Sequence, residues 1–193
     1  ENMGSNCIQA KGGTHYVNIA RNMFINGGLR AVNIGGSTGL QFFRPQDANY
    51  ESQSIYVNAN IFVGGECAVA YVGTTDSRVY HNTMIGSRKW VFRILQETVD
   101  TSRFLPCSGN HFNYNVVMMD DSLNRTVNIG SNTEPGTFSF GDNYWYNEDN
   151  PDWNHNLPSQ DFMPIIGVKV DLQSRYGYDI YPDKNSVLVG VGS

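Results

Sequence analysis

Apolar residues in this chain alternate with polar ones for only a few positions at a time, and each run stops at an asparagine or a glycine. Val17 and Ile19 lead to Asn22, Ile55 and Val57 to Asn60, and Val79 to Asn82. Phe112 and Tyr114 lead to Asn115, and Phe138 and Phe140 to Asn143. A short apolar pair follows each asparagine. A period of two on both sides of a fixed polar residue predicts two short strands joined by a bend at that residue. A third run follows in the first four segments: "AVNIGG" from Ala31, "AVAYVG" from Ala68, "WVFRIL" from Trp90 and "TVNIG" from Thr126. "CIQAKGG" from Cys7 reads as the third run of a preceding segment. No stretch carries the caps and the i, i+3, i+4 pattern of a long helix.

The nearest anchors, Asn60 and Asn82, stand 22 residues apart, which three strands of about five residues and their turns would fill. Self-similarity at a fixed period without helices argues an all-β solenoid, each coil hydrogen-bonded to the next about 4.8 Å away. In-register stacking would set Asn22, Asn60, Asn82, Asn115 and Asn143 above one another, their amides bonding along the stack as a ladder. A β-sandwich also has short alternating strands, but those share neither an anchor residue nor a period. Residues 7–146 would form the coils, and 147–193 the C-terminal loops and cap of one domain. Because the chain opens partway through a coil, N-terminal coils are expected to be missing. The open edge would then invite self-association.

Three strands per coil, the 22-residue spacing and the asparagine at the bend resemble the right-handed parallel β-helix of the pectate-lyase type. "KGG…RNMFINGGLRAVNIGG" is similar to bacterial right-handed β-helix repeat proteins. The closing "YDIYPDKNSVLVGVGS" resembles the "Y-x-L-x-x-x-S-P-A-x-x-x-G" ending of such proteins, with Val187 and Leu188 in place of the small residue and proline. The resemblance implies a right-handed helix of about five to six coils, a substrate groove along the third-strand sheet, and a secreted or periplasmic location. It does not choose a chemistry, since that architecture hosts lyases, hydrolases, epimerases, adhesins and non-enzymes.

Composition narrows the partners. At 193 residues, 40% hydrophobic and 16% charged, the chain is a globular domain with net charge -5, and it lacks the basic footprint of a nucleic-acid binder. Its apolar runs fall far short of the roughly 20 residues that a membrane helix needs, so no membrane partner is expected. Cys7, Cys67 and Cys107 lack metal-type spacing and read as small buried apolar residues, with no disulfide expected among them. A sequon at Asn124-Arg125-Thr126 has meaning only in a glycosylating cell.

Where insertions fall points to the working face. From Asn22 to Val32, Asn60 to Val69 and Asn82 to Val91 the spacing is 10, 9 and 9 residues, so these connections are structural. After the third strand the chain either turns within 74–77 or wanders through 37–53 and 97–109. Variable loops on a fixed scaffold are where sites tend to sit. If Ile8, Val32, Ile34, Phe92, Ile94, Val127 and Ile129 point inward, then Gln9, Asn33, Ala70, Arg93 and Asn128 point outward, one per coil. Lys11, Arg30, Arg88, Lys89 and Glu97 lie nearby in the chain, and the two loops repeat an aromatic, Arg and Pro vocabulary around Phe43-Arg44 and Arg103-Phe104. A groove with cations on its floor and aromatic walls suits an acidic polysaccharide, since guanidinium forks bind carboxylates and ring faces stack on sugars.

The reaction such a groove would run is β-elimination at a uronate, which needs a neutralised carboxylate, a base and an acid. Arg93 would neutralise, Lys11 or Lys89 would be the base, and His81 or a tyrosine the acid. Arg30, Asn33, Phe43, Arg44, Glu97, Arg103 and Asn128 would contact the chain. In lyases related to chondroitinase B a Lys and an Arg sit on neighbouring coils of this sheet, and Lys11 and Arg93 are the nearest analogues, although two coils separate them. The plainer readings stand beside these. Arg93 is a solvated residue paired to Glu97, His81 belongs to the ladder bend, and Phe42, Phe43, Phe104 and Leu105 form the loops' own small core. Glycoside hydrolysis ranks below elimination, because no two carboxylates face one another across the groove. The other class is binding without chemistry. Calcium at Asp120-Asp121 or at Glu148, Asp149 and Asp152 is left open, as neither stretch has a spacing that specifies a site, and no other cofactor is expected.

Overall fold

The computed structural model describes residues 1–172, 180–186 and 188. Half of the closing motif of the sequence, including Val187, lies outside them. The described chain is all β apart from two three-residue 3-10 turns, and every strand pairing in its sheets is parallel. A five-stranded sheet carries the third strands: Asn6–Ala10, Arg30–Gly35, Cys67–Val72, Trp90–Leu95 and Arg125–Ile129. Two six-stranded sheets carry the strands on either side of the asparagine bend, from Asn18–Ala20 and Met23–Ile25 to Asp161–Phe162 and Ile165–Ile166. This is a parallel β-solenoid in which each strand pairs with its equivalent in the next repeat.

Sequence patterning missed one element. Thr14–His15, Ser52–Gln53 and Thr74–Thr75 form a fourth, three-stranded sheet, so these repeats hold four strands rather than three. Two-residue strands are too short to show a period. They are held by a buried hydroxyl chain, in which Ser52 Oγ donates to Thr74 Oγ1 at 2.9 Å and Thr74 Oγ1 lies 2.8 Å from Ser77 Oγ.

The ladder forms as its spacing predicts. The backbone N–H of Asn22, Asn60, Asn82 and Asn115 donates in each case to the side-chain oxygen of the next asparagine, at 2.9–3.0 Å. Each side-chain amide donates to that same oxygen, at 3.0–3.3 Å. The residue before each rung has a positive φ: Arg21 59°, Ala59 52°, His81 52°, Tyr114 56° and Asp142 54°. A left-handed turn at non-glycine residues costs about 1–2 kcal/mol each, and the rung's side chain offsets this by satisfying buried backbone groups. Asn143 ends the ladder on Asp161, whose other oxygen accepts the Trp145 indole N–H at 2.7 Å.

Inside, aromatic rings stack from repeat to repeat: Phe24 on Phe62 at 4.8 Å, Phe92 on Phe112 at 4.7 Å, and Phe112 on Trp145 at 5.8 Å. Val32, Ile34, Phe92 and Ile94 face this core as their alternation predicts. Ile129 does not. It is 44% exposed, because its strand is the last of the five-stranded sheet. Cys67 and Cys107 are buried free thiols pushed up to about 12 by desolvation, and Cys7 is free and half-buried. Unionised thiols of this kind are inert.

Candidate functional site

The outward row of the five-stranded sheet is in register: Gln9 beside Asn33, Asn33 beside Ala70, Ala70 beside Arg93, Arg93 beside Asn128. Alternation breaks at the start of each strand, where Ala31 and Val32, or Val91 and Phe92, both enter the core. A bend there puts Arg30 and Trp90, three residues before Asn33 and Arg93, on the same outer side as those two. The result is a depression of about 350 Å³ lined by Gln9, Lys11, Arg30, Asn33, Trp90, Arg93 and Glu97, with Glu66 at its rim. Gly35 lets the chain leave the sheet at its edge. Its φ is 99°, and a Cβ there would collide with the Val72 carbonyl oxygen.

Within the depression Arg93 is the best-defined group. Its Nε donates to Asn128 Oδ1 at 2.9 Å, and its guanidinium carbon lies 4.3 Å from the centre of the Trp90 ring. Its two terminal amines have no hydrogen-bond partner among the described residues. Partial burial, and then the positive charge of Arg30, pull its pKa below the usual arginine value. The site therefore disfavours its own cation and would gain from an anion. Arg30 is differently placed. Its Nη2 makes a 2.6 Å ion pair with Glu97 and its Nη1 donates to Asn33 Oδ1 at 3.1 Å.

The expected site residues divide into three groups. Lys11, Arg30, Arg93 and Glu97 come together in the depression, and Asn128 meets it through Arg93. Asn33 is fully buried beneath it, its oxygen accepting from Arg30 and its amide donating to the Gly35 carbonyl, so it is corrected from a ligand contact to a support for Arg30. Lys89 stands aside, held by Glu66 at 2.9 Å. Lys11 donates its ammonium to the Ser37 carbonyl at 2.9 Å. Phe43, Arg44 and Arg103 are elsewhere, in the contact between the two long loops. Phe43 is fully buried against Phe104 and presents no ring face to a ligand. Arg103 donates to the Ala48 and Gln46 carbonyls and stacks on both rings, at 4.9 and 4.7 Å. Arg44 donates to the carbonyls of Gln41 and Phe43. Phe43 and Arg103 are corrected from ligand contacts to loop scaffold, because their binding surfaces are already occupied. Arg44 is exposed and bonded through Nη1 alone, but it stands apart from the depression. Phe42 and Leu105 stay exposed, outside that small core.

Two residues went unseen in the sequence. Trp90 supplies the ring under Arg93, and its signal was an aromatic three residues before an outward cation. Glu51 is a fully buried carboxylate accepting from Gly12 N–H at 3.0 Å, Thr38 N–H at 2.8 Å and the hydroxyls of Thr38 and Thr98. It ties both long loops to the turn after the first strand, and nothing in "NYESQ" marks it. His81, the sequence candidate for an acid, stacks on Tyr114 at the ladder bend and lines no part of this depression. Among the described residues, no three His, Cys, Asp or Glu side chains converge as a metal site, and no helix is long and apolar enough to cross a membrane. The chain matches no family model, no curated protein and no solved structure.

Proposed function

We propose that the chain is a right-handed parallel β-helix of the pectate-lyase-like type, with about five to six coils, and that its outer groove binds an acidic polysaccharide. A secreted or periplasmic setting goes with that ligand. The observation that carries the reading is Arg93, whose plane is fixed by Trp90 and Asn128 while both terminal amines are free in the depression. A guanidinium held in this way is a preorganised fork for a planar carboxylate, and little side-chain entropy is lost on binding. Gln9 on the same row offers an exposed amide to sugar hydroxyls. Polysaccharide would run along the row, crossing one repeat about every 4.8 Å.

Elimination at a uronate is the second reading, favoured by Lys11 and Arg93 lining one depression. Arg93 would neutralise the carboxylate and Lys11 would take the C5 proton. The C–H electron pair would form the C4–C5 double bond as the C4–O bond breaks, and the leaving oxygen would take a proton. Calorimetric titration with polygalacturonate, alginate and chondroitin, with ultraviolet absorbance of the unsaturated product followed in parallel, tests both readings. Binding that is lost in Arg93→Ala supports the groove. Absorbance that also rises, and falls in Lys11→Ala, adds the lyase. Binding without absorbance leaves a carbohydrate-binding solenoid, and no binding to any of the three overturns the proposal.

A further inference from the structure

The first six-stranded sheet has an outer face unlike any groove floor described above. Tyr56, Arg78 and His111 occupy one column in register on adjacent repeats, and Asn58, Tyr80 and Asn113 occupy the next. The ladder bend adds a third column, where His81 and Tyr114 stack at 5.1 Å with their planes 21° apart. Tyr80 meets His81 edge-on at 5.5 Å. All of these side chains except Asn58, which donates to Asn18, line a depression of about 400 Å³, and Tyr114 is 49% exposed.

The bend itself does not call for rings. It calls only for a positive φ, and the other repeats meet that demand with Arg21, Ala59 and Asp142. Large side chains in the left-handed region are uncommon, yet two consecutive repeats place aromatic rings there, stacked and open to solvent. Strained positions that carry more than the turn needs point toward function. The polar groups between the rings are free as well, since the side chains of Arg78, Tyr80, His111 and Asn113 have no hydrogen-bond partner among the described residues. Burial and the neighbouring Arg78 hold His111 below its ordinary pKa, so near neutral pH its uncharged ring offers one donor and one acceptor. Apart from the histidines, Arg78 is the one ionisable cation lining the depression, and rings and neutral polar groups make up the rest of its lining.

We infer that this face is a second carbohydrate-binding surface, for uncharged pyranose sugars. Ring faces that cover the apolar C–H side of a sugar, interleaved with amides, hydroxyls and imidazole for its hydroxyl rim, are the complement such a ligand needs. The several aromatic rings of this face separate it from the groove on the five-stranded sheet, where three cations and two carboxylates surround one tryptophan. The two surfaces lie on different sheets and share no residue, so each stands or falls alone.

Titration with cellohexaose, xylohexaose and mannohexaose, followed through the ring-proton resonances of the histidines, tests the inference. At least one sugar should shift His81 and His111 saturably. Tyr80→Ala and Tyr114→Ala should each weaken that binding about tenfold or more, while Arg93→Ala leaves it unchanged. Melting temperatures of both tyrosine variants check that the fold survives. No shift with any of the three sugars, or unchanged binding in both folded tyrosine variants, would overturn the assignment.

Discussion

At the scale of single residues the groove is a balance of charges. Lys11, Arg30 and Arg93 face Glu66 and Glu97, and Glu97 already occupies Arg30 at 2.6 Å. Glu97 stands where a ligand carboxylate would otherwise sit. Replacing it with glutamine should free Arg30 and raise affinity for a polyanion severalfold, with a steeper loss of binding as salt increases. Calorimetry at low and high ionic strength measures this. A drop in affinity would mean instead that Glu97 is needed to hold Arg30 in place. Period-two alternation was enough to put Gln9, Asn33, Arg93 and Asn128 in one row. Trp90 and the placement of Arg30 were not legible, because alternation breaks where the strand bends, and only coordinates show which side a residue takes there. Phe43 and Arg103 misled for a different reason: an aromatic beside an arginine reads the same whether it stacks on a sugar or on its own loop.

At the scale of elements the asparagine ladder predicts a gradient of mutational cost. Asn82 lies between two rungs. Its oxygen accepts from the backbone and side chain of Asn60, and its amide donates to the Val57 and Tyr80 carbonyls and to Asn115. Asn82→Ala leaves the buried Asn60 N–H unpaired, at a cost of about 1–3 kcal/mol. Asn22 is an end rung whose exposed amide reaches only the Ala20 carbonyl and Asn60, so Asn22→Ala should cost under about 1 kcal/mol. Denaturant midpoints of the two variants give the comparison, and equal losses would show that the ladder carries no more than its turn. The ladder was legible because one residue type recurs at a bend. The loop clamp at Glu51 was not, since a carboxylate that pairs only with backbone and hydroxyl groups leaves no partner pattern in sequence.

At the scale of the whole molecule, a solenoid is nearly one-dimensional: each repeat contacts only its neighbours, so a perturbation at one end need not reach the other. The ladder's last rung rests on Asp161, beside His155, which stacks on Trp145 at 4.8 Å. Burial holds His155 below its ordinary pKa of 6.5 and raises Asp161 above its ordinary 3.8. At 3.9 Å, with each group displaced toward its neutral form, the contact is not a formed ion pair. A histidine whose folded pKa is lowered contributes stability above the unfolded value and loses it as pH falls through the lowered folded value. Asp161 has the opposite sign, its contribution being full below the ordinary carboxylate range and lost as pH rises through its raised value. Moving from about pH 8 to about pH 5.5 should therefore loosen the 139–166 end through His155. Hydrogen exchange should quicken first at Ser139–Gly141 and Tyr144–Asn147, while Arg30–Gly35 keeps its protection. His155→Phe keeps a ring on Trp145 without a titrating group and should remove the difference. His111 is also held neutral by burial, but it lies one repeat nearer the middle, so any acid loosening that survives His155→Phe should centre on 111–113. Exchange that rises uniformly along the chain would mean that the repeats open as one unit and that the solenoid transmits what happens at its end.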